Sequence, residues 1–287
     1  MDETLDIPRL QAIAVRLRAN IVRMIALAGS GHNGGALSAA DLISYLYFHQ
    51  MRIDPCNPGW PDRDRFVLSK GHCCPALYAA LAARGFFAEE VLWSLRDIGS
   101  ILQGHPDMNK TPGIDMTTGS LGQGISAAVG IVLGGKLDRK DYRVYCMIGD
   151  GELQEGQVWE AAMTAAHHRL DNLTVLVDNN KLETDSPTLT IINVEPISPR
   201  WRAFGWDAHD INGHDFRQIH EAVQACARST GRPSVIVADT IKGKGVSFME
   251  GNPDWHAGPT TPEQTQSALR EIQGDGISAP NGPEVST

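Results

Sequence analysis

The sequence lacks three features that would assign the protein to a broad functional class. No apolar stretch approaches the roughly 18 uninterrupted residues of a membrane-spanning helix; even the run at residues 21–28 is broken by Arg23. Residues 1–10 carry three acids and one arginine, without the basic start and apolar stretch of a signal peptide. Lysine and arginine total 25 against 34 aspartates and glutamates, and no dense basic run is present. We therefore expect a soluble protein that carries no export signal and binds no nucleic acid.

Cysteine is scarce and irregularly spaced, with five residues, an odd number, and no Cys-x-x-Cys pair. This pattern excludes a disulfide framework and a typical zinc site. His72-Cys73-Cys74 has the composition of a metal cluster, but adjacent cysteines cannot easily face one metal, and burial in the core is the better interpretation. We expect free thiols in a reducing cytoplasm.

The composition predicts one globular domain followed by a tail. A chain of 287 residues with 42% hydrophobic and 21% charged residues can bury a core without disulfides or structural metal ions. Apolar residues recur at steps of three and four over residues 10–28, and Gly29 follows, which predicts a long amphipathic helix. Ser38 is predicted to cap a second helix that ends near Met51. Further helices are predicted over residues 75–84, 88–96 and 121–137.

The second half alternates between short β-forming runs and helical patterns. This order is typical of a parallel sheet with helices on both faces, so we expect an α/β fold. The strands are predicted at residues 142–148, 173–177, 206–211 and 234–238, and the helices between them at 157–170 and 216–227. The domain is predicted to span residues 1–260, and residues 261–287 to form a short helix near 263–272 and a disordered tail from Gly274.

Two polar motifs follow consecutive predicted strands. Gly149-Asp150-Gly151 follows the first strand, and Asp178-Asn179-Asn180-Lys181-Leu182 ends the second. Ligands of open parallel sheets bind beyond the carboxyl ends of the strands. Mg²⁺ prefers oxygen ligands and completes its shell with water and phosphates, so a Mg²⁺-bound diphosphate fits this edge. The same residues also suit caps and turns, so these two motifs alone leave both interpretations open.

A glycine-rich turn, Gly119-Ser120-Leu121-Gly122-Gln123-Gly124, opens the helix predicted at 121–137. Free backbone N–H groups and the helix dipole favour an anion or a polar ring there. The glycines of this turn do not follow the G-x-G-x-x-G pattern, and the sequence contains no G-x-x-x-x-G-K-[ST]. Rossmann-type nicotinamide binding and a P-loop are therefore both excluded.

Four histidines lie in unusual settings, and three of them directly follow a glycine: His32, His72, His105 and His256. Glycine beside a histidine permits close packing around a ligand, although a single such histidine is more often a surface or capping residue. The remaining six lie within or beside helical and strand patterns, and we assign a structural role to His49, His167, His168, His209, His214 and His220.

Taken in this order, the motifs resemble the N-terminal, thiamine-diphosphate-binding half of transketolase. The resemblance runs from the first helix to about Pro259 and is strongest at SGHNGGALS, DRFVLSKGH, QGHPD, TTGSLGQGISAAVG, GDGELQEGQVWEAA and DNNKL. Gly-Asp-Gly and the downstream asparagine are shared by thiamine-diphosphate enzymes in general, whereas the histidine motifs are typical of transketolases. The resemblance implies the thiamine-diphosphate-binding α/β fold.

The resemblance also implies a cofactor site. Asp150, Asn180 and the carbonyl group of Leu182 would hold a Mg²⁺ bound to the diphosphate of thiamine diphosphate. Gly151 and His72 would contact that diphosphate. The aminopyrimidine and thiazolium region would lie against the backbone of Gly119, Ser120 and Leu121.

By the same resemblance, His32, His105 and His256 would line the substrate channel, with His256 also beside the cofactor. Cleavage of a ketose between C2 and C3 leaves a carbanion that a thiazolium can stabilise, whereas histidines suit the proton transfers. We expect His32 and His256 to move the proton and His105 to hold a substrate hydroxyl. Glu155 matches an acid that joins a carboxylate network between two active sites at a dimer interface.

The sequence departs from the family pattern at three tripeptides. His-Pro-Gly, Gly-Pro-Leu and Asp-Gly-Pro are replaced by His32-Asn33-Gly34, Gly119-Ser120-Leu121 and Asp185-Ser186-Pro187. Contacts at the first two are largely made by the backbone, so we expect cofactor binding to survive. The family's pyrimidine-binding domain, with the glutamate that activates the cofactor, is absent from the sequence. We therefore expect a separate C-terminal transketolase subunit in a heteromer with two copies of each chain, inactivity of this chain alone, and sugars or sugar phosphates as substrates.

Two alternatives remain open from the sequence. One is a subunit of another split thiamine-diphosphate enzyme, such as a 2-oxo acid dehydrogenase or decarboxylase or a synthase that joins pyruvate to an aldehyde; the settings of His32, His105 and His256 argue against it. The other is a non-catalytic partner subunit, which the intact pair of Asp150 and Asn180 disfavours.

Overall fold

The computed structural model describes residues 5–274, which form a five-stranded parallel sheet covered by helices. The strands are β1 (Arg65–Leu68), β2 (Val144–Gly149), β3 (Leu173–Asn179), β4 (Asp207–Asn212) and β5 (Ser234–Asp239). Their order across the sheet is β1-β2-β3-β5-β4, and every neighbouring pair is parallel. The α-helices of the described residues are α1 (Ile7–Ala28), α2 (Asn33–Tyr45), α3 (Cys74–Arg84), α4 (Gln123–Leu137), α5 (Gly156–His167), α6 (Thr188–Ile191), α7 (Ile197–Ala203), α8 (Phe216–Arg228) and α9 (Pro262–Gln273).

The register aligns the carboxyl ends of the three central strands. Gly149 of β2 pairs with Asp178 of β3, and Asn179 of β3 pairs with Asp239 of β5. The segments that leave these strands therefore start side by side at one edge of the sheet.

Side chains of each central strand alternate between two apolar layers, as expected for a sheet covered on both faces. Tyr145 and Met147 of β2 belong to the layer that α1, α2, α3, α8 and α9 cover, whereas Cys146 and Ile148 belong to the layer that α4, α5 and α7 cover. The predicted α/β fold with helices on both faces of a parallel sheet is confirmed.

Helix α1 follows its sequence signals closely. Asp6 caps the first turn by accepting from the backbone N–H of Arg9 at 3.0 Å, and Gly29 ends the helix in a left-handed conformation with φ 61°. The predicted apolar face is buried, with Leu17 and Ile21 fully inaccessible. Packing of this face against α2 and α3 anchors the layer on that side of the sheet.

Two local predictions were wrong, and one strand was missed. Helix α2 begins at Asn33, and Ser38 is not its cap, because its hydroxyl donates to the side chain of Asp178 at 2.6 Å, a tertiary contact. The helix predicted at 88–96 is only a 3₁₀ segment, Glu89–Ser94. Strand β1 was missed, because four residues that begin with Arg65 carry too little pattern to be recognised.

After residue 260 the described chain forms helix α9 (Pro262–Gln273), which begins with a capping box between Thr261 and Gln264. Its buried residues Thr265, Ala268 and Ile272 face α1, so this helix completes the same apolar layer. Apart from Gly274, the tail predicted to be disordered lies outside the described residues. No helix within residues 5–274 combines the length and apolar character required to cross a membrane.

Candidate functional site

Asp150 is the buried carboxylate at the carboxyl edge of the sheet. Only 2% of the residue is exposed, and its side chain accepts from the backbone N–H of Gly151 at 2.9 Å and from that of Lys181. Burial and the neighbouring Asp178 raise the pKa of Asp150 to about 7. A carboxylate in this setting is only partly ionised at pH 7, and a bound cation would favour its ionised form.

The segment after β3 brings two further oxygens to the same place. Lys181 adopts a left-handed conformation with φ 65°, and the side-chain oxygen of Asn180 accepts from the N–H of Leu182 at 3.2 Å. Asp150, Asn180 and Leu182 line one cavity. One carboxylate, one amide oxygen and one backbone carbonyl are donors that Mg²⁺ accepts, with positions left for water and phosphate.

A buried ion pair lies at this edge of the sheet. Asp178 is fully inaccessible and accepts from Nζ of Lys70, from the hydroxyl of Ser38 and from that of Thr240. Burial opposes ionisation of Asp178, but the charge of Lys70 and these hydrogen bonds outweigh it and hold the pKa below its usual value. Lys70 therefore remains a cation that lines the cavity, with its charge balanced by Asp178.

Three histidines converge beside the cavity. The ring centroids of His32 and His72 are 5.1 Å apart, those of His32 and His256 are 5.3 Å apart, and those of His72 and His256 are 5.4 Å apart. Burial is the largest cause that lowers the pKa of His32 and His72 to about 4 and that of His256 to about 3. The next cause is the charge of His72 for His32, that of Lys70 for His72 and that of Lys242 for His256. All three are therefore neutral at pH 7.

The fourth histidine and the glycine-rich turn lie next to one another. His105 is exposed, and its ring would be 3.2 Å from a Cβ atom placed on Gly119. Leu121 lines the cavity, whereas Ser120 is exposed. The predicted helix starts two residues later than expected, because Gly122 adopts φ 81° and α4 begins at Gln123.

Residues 10–275 match the family described as transketolase, thiamine diphosphate binding domain. The chain belongs to this family. The match includes Asp150, Asn180 and the four histidines, so the resemblance that the sequence motifs indicated is confirmed.

Two curated transketolase subunits resemble the chain over nearly their whole length. One is a component of 6-deoxy-6-sulfo-D-fructose transketolase from Clostridium sp. (strain MSTE9), and it is 49% identical over 93% of this chain and 98% of its own. The other is a component of apulose-4-phosphate transketolase from Phocaeicola vulgatus, and it is 41% identical over 93% of this chain and 95% of its own. The prediction that the chain corresponds to an N-terminal transketolase subunit is confirmed.

The fold agrees with that of a solved transketolase. The enzyme from Campylobacter jejuni superposes with a TM-score of 0.89 and 34% identity over 96% of this chain. The chain spans only 45% of that longer transketolase. The two curated subunits and this chain therefore correspond to one part of a transketolase that other organisms make as a longer chain.

Sequence reasoning missed both lysines that line the cavity, Lys70 and Lys242. Nζ of Lys242 donates to the carbonyl oxygens of Leu182 at 3.2 Å and Glu183 at 2.6 Å, and lies 2.9 Å from Nδ1 of His256. Burial lowers the pKa of Lys242 to about 8. Its position shortly after β5 was the available signal, since ligands bind where parallel strands end.

The other predicted site residues divide into two groups. Gly151 lines the cavity with Asp150, whereas Glu155 is exposed at the start of α5 and is not among the residues that line the cavity. Glu152, to which the sequence motifs gave no role, is buried and lines the cavity. Cys73 and Cys74, whose burial was predicted, belong to the apolar layer against α1 and α2.

Proposed function

We propose that the chain is the cofactor-binding subunit of a two-chain transketolase, which transfers a two-carbon ketol unit from a ketose or ketose phosphate to an aldose. The observation that carries this proposal is the convergence of three neutral histidines, His32, His72 and His256, beside the cavity that contains Asp150 and Asn180. The subunit names of relatives of equal length support it.

The residues of the cavity fit thiamine diphosphate with Mg²⁺. Because Asp150 is buried and has a raised pKa, a bound cation would stabilise its ionised form. Lys70 and Lys242 place positive charge along the cavity for a diphosphate. We assign Asp150, Asn180 and the Leu182 carbonyl to Mg²⁺, and assign Gly151 and His72 to the diphosphate.

The histidines would perform the proton transfers. When bound, thiamine diphosphate supplies a thiazolium that accepts the electron pair left by C2–C3 cleavage. His32 and His256, neutral at pH 7, would accept the hydroxyl proton of the ketose and return it to the aldose aldehyde. His105, exposed beside Gly119, would hold a substrate hydroxyl, and the backbone of Gly119, Ser120 and Leu121 would support the cofactor rings.

The remaining transketolase machinery would come from a partner. We assign it to a separate C-terminal subunit, in a heteromer with two copies of each chain, where Glu155 would lie in the contact between active sites. Exposure of Glu155 on this chain supports that assignment. A cytoplasmic location is favoured by the five free thiols.

Native mass spectrometry of the protein purified from its own host tests this proposal. A co-purifying second chain with a mass increment for thiamine diphosphate and Mg²⁺ is expected, and the complex should transfer two carbons from a ketose to an aldose. Conversion of a 2-oxo acid without ketose transfer would indicate another thiamine-diphosphate enzyme. Equal activity of the isolated chain and the complex would contradict the division of the site between two chains.

A further inference from the structure

Glu152 is a buried carboxylate that touches three separate segments around the cavity. Only 2% of the residue is exposed. Oε1 accepts from the hydroxyl of Ser69 and from the backbone N–H of Gly122 at 2.7 Å, and Oε2 accepts from the backbone N–H of Gly149 at 3.1 Å. All three of these partners are donors, so the ionised form satisfies them best.

Each of these segments carries residues assigned to the cofactor. Ser69 directly precedes the segment with Lys70 and His72, and Gly149 precedes Asp150. Gly122 ends the turn at residues 119–122, whose Leu121 lines the cavity. The carboxylate of Glu152 therefore lies where the cation-binding, diphosphate-binding and ring-facing segments meet.

Besides the contact with Glu152, the turn is closed by the Gln123 N–H group, which donates to the Ser120 carbonyl at 3.3 Å, and a Cβ atom on Gly122 would lie 2.9 Å from Cβ of Glu155. Gly122 is the N-cap residue of α4, adopts φ 81° and offers no capping side chain. A Cβ atom on Gly124 would lie 2.5 Å from Oγ of Ser69, so the start of α4 approaches the Ser69 segment closely. In this contact the Glu152 carboxylate is the acceptor for the Gly122 N–H group.

We propose that Glu152 is a positioning residue that fixes the turn at residues 119–122 against the Ser69 and Gly149 segments, so that the three present one surface to thiamine diphosphate. This inference rests on the proposed function. In Glu152→Gln the amide has one oxygen only, so either Gly122 or Gly149 would lose its acceptor. Leaving a buried N–H group without an acceptor lowers the equilibrium constant for the ordered position of its segment by roughly tenfold.

Amide hydrogen exchange of the full chain without cofactor gives the first test. In the wild-type chain, the Gly122 amide should exchange as slowly as amides inside α4. E152Q should accelerate exchange by about tenfold at Gly122 or at Gly149, whichever amide loses its acceptor, whereas Glu221→Gln, at an exposed position on α8, should leave both amides unchanged. Fast exchange of Gly122 in the wild type would overturn the inference without any variant, even if E152Q failed to fold. Equal acceleration over the whole chain would also overturn it, since that result indicates general destabilisation.

Calorimetric titration of thiamine diphosphate with Mg²⁺ into the complex purified from its host gives the second test. E152Q should raise the dissociation constant about tenfold, and saturating cofactor should restore two-carbon transfer to within about twofold of the wild type. If the wild type binds the cofactor and E152Q binds it with the same dissociation constant, the positioning role of Glu152 is overturned. The proposed function is not affected by that result. Absence of binding by the wild type would instead contradict the proposed function.

Discussion

Nζ of Lys242 lies 2.9 Å from Nδ1 of His256. An ammonium group only donates, so Nδ1 accepts and the imidazole is neutral in this contact. Protonation of His256 would place two cationic donors against each other, and this repulsion, after burial, accounts for the fall of its pKa to about 3. Burial and the charge of Lys242 therefore both favour the neutral form of His256.

Lys242→Met should weaken binding of thiamine diphosphate with Mg²⁺ by about tenfold to a hundredfold, because the diphosphate would lose a charged donor. Isothermal titration calorimetry on the complex measures the change. Lys244→Met is the matched control, since Lys244 is partly exposed and pairs with Glu250 at 3.4 Å. Equal losses in both variants would mean that net charge, and not the position of Lys242, determines affinity.

The sequence predicted the edge of the sheet better than the interior of the site. Asp150, Asn180 and Leu182 follow strands whose carboxyl ends align, so a rule about parallel sheets was enough to place them together. The contact between Lys70 and Asp178 joins residues 108 positions apart. Nothing local marks such a pair, because its geometry depends on how β1 is placed beside β2.

Glu152 and Ser38 illustrate the same limit. The sequence GDGELQEG contains two glutamates, and only the packing of three segments decides that Glu152 is buried and Glu155 exposed. Serine is a residue type that often caps helices, but the hydroxyl of Ser38 donates a hydrogen bond to the carboxylate of Asp178 instead. Local propensity was overridden in both cases by buried polar groups that needed partners.

The carboxyl group of Asp150 should make the metal-free chain less stable as the pH rises. Burial raises its pKa from 3.8 to about 7 in the folded chain, so the stability that protonation provides is complete below about pH 4 and is lost as the pH rises through about 7. The free energy of unfolding of the wild type relative to Asp150→Asn should fall between pH 4 and 8, by roughly 4 kcal/mol at most.

Urea denaturation with EDTA at several pH values measures this difference. Asp185→Asn, at an exposed position, should follow the wild type. With thiamine diphosphate and Mg²⁺ added, the wild type should melt at a higher temperature and Asp150→Asn should not. An equal rise in melting temperature in both proteins would show that Asp150 does not bind the cation.

His32→Gln should lower kcat for two-carbon transfer by about a hundredfold or more while leaving cofactor affinity nearly unchanged, because general base catalysis contributes on that scale. The wild-type rate should stay independent of histidine protonation down to about pH 5, since the pKa of His32 is about 4. Steady-state kinetics of the complex between pH 5 and 8 test both statements. The exposed His168→Gln is the control, and a loss in that variant comparable to the loss in His32→Gln would contradict the assigned role.

Lys70→Met should lower the free energy of unfolding by about 3–5 kcal/mol, because it leaves the fully buried Asp178 without its cation. Lys136→Met should cost less than about 1 kcal/mol, since the pair of Lys136 and Asp171 is about one-third exposed. Combining Lys70→Met with Asp178→Asn should recover part of the loss, because the unpaired charge is removed as well. Urea denaturation of the wild type, Lys70→Met, Asp178→Asn and the double variant gives the coupling energy; a value near zero would show that the hydrogen bonds from Ser38 and Thr240, and not Lys70, stabilise the Asp178 carboxylate.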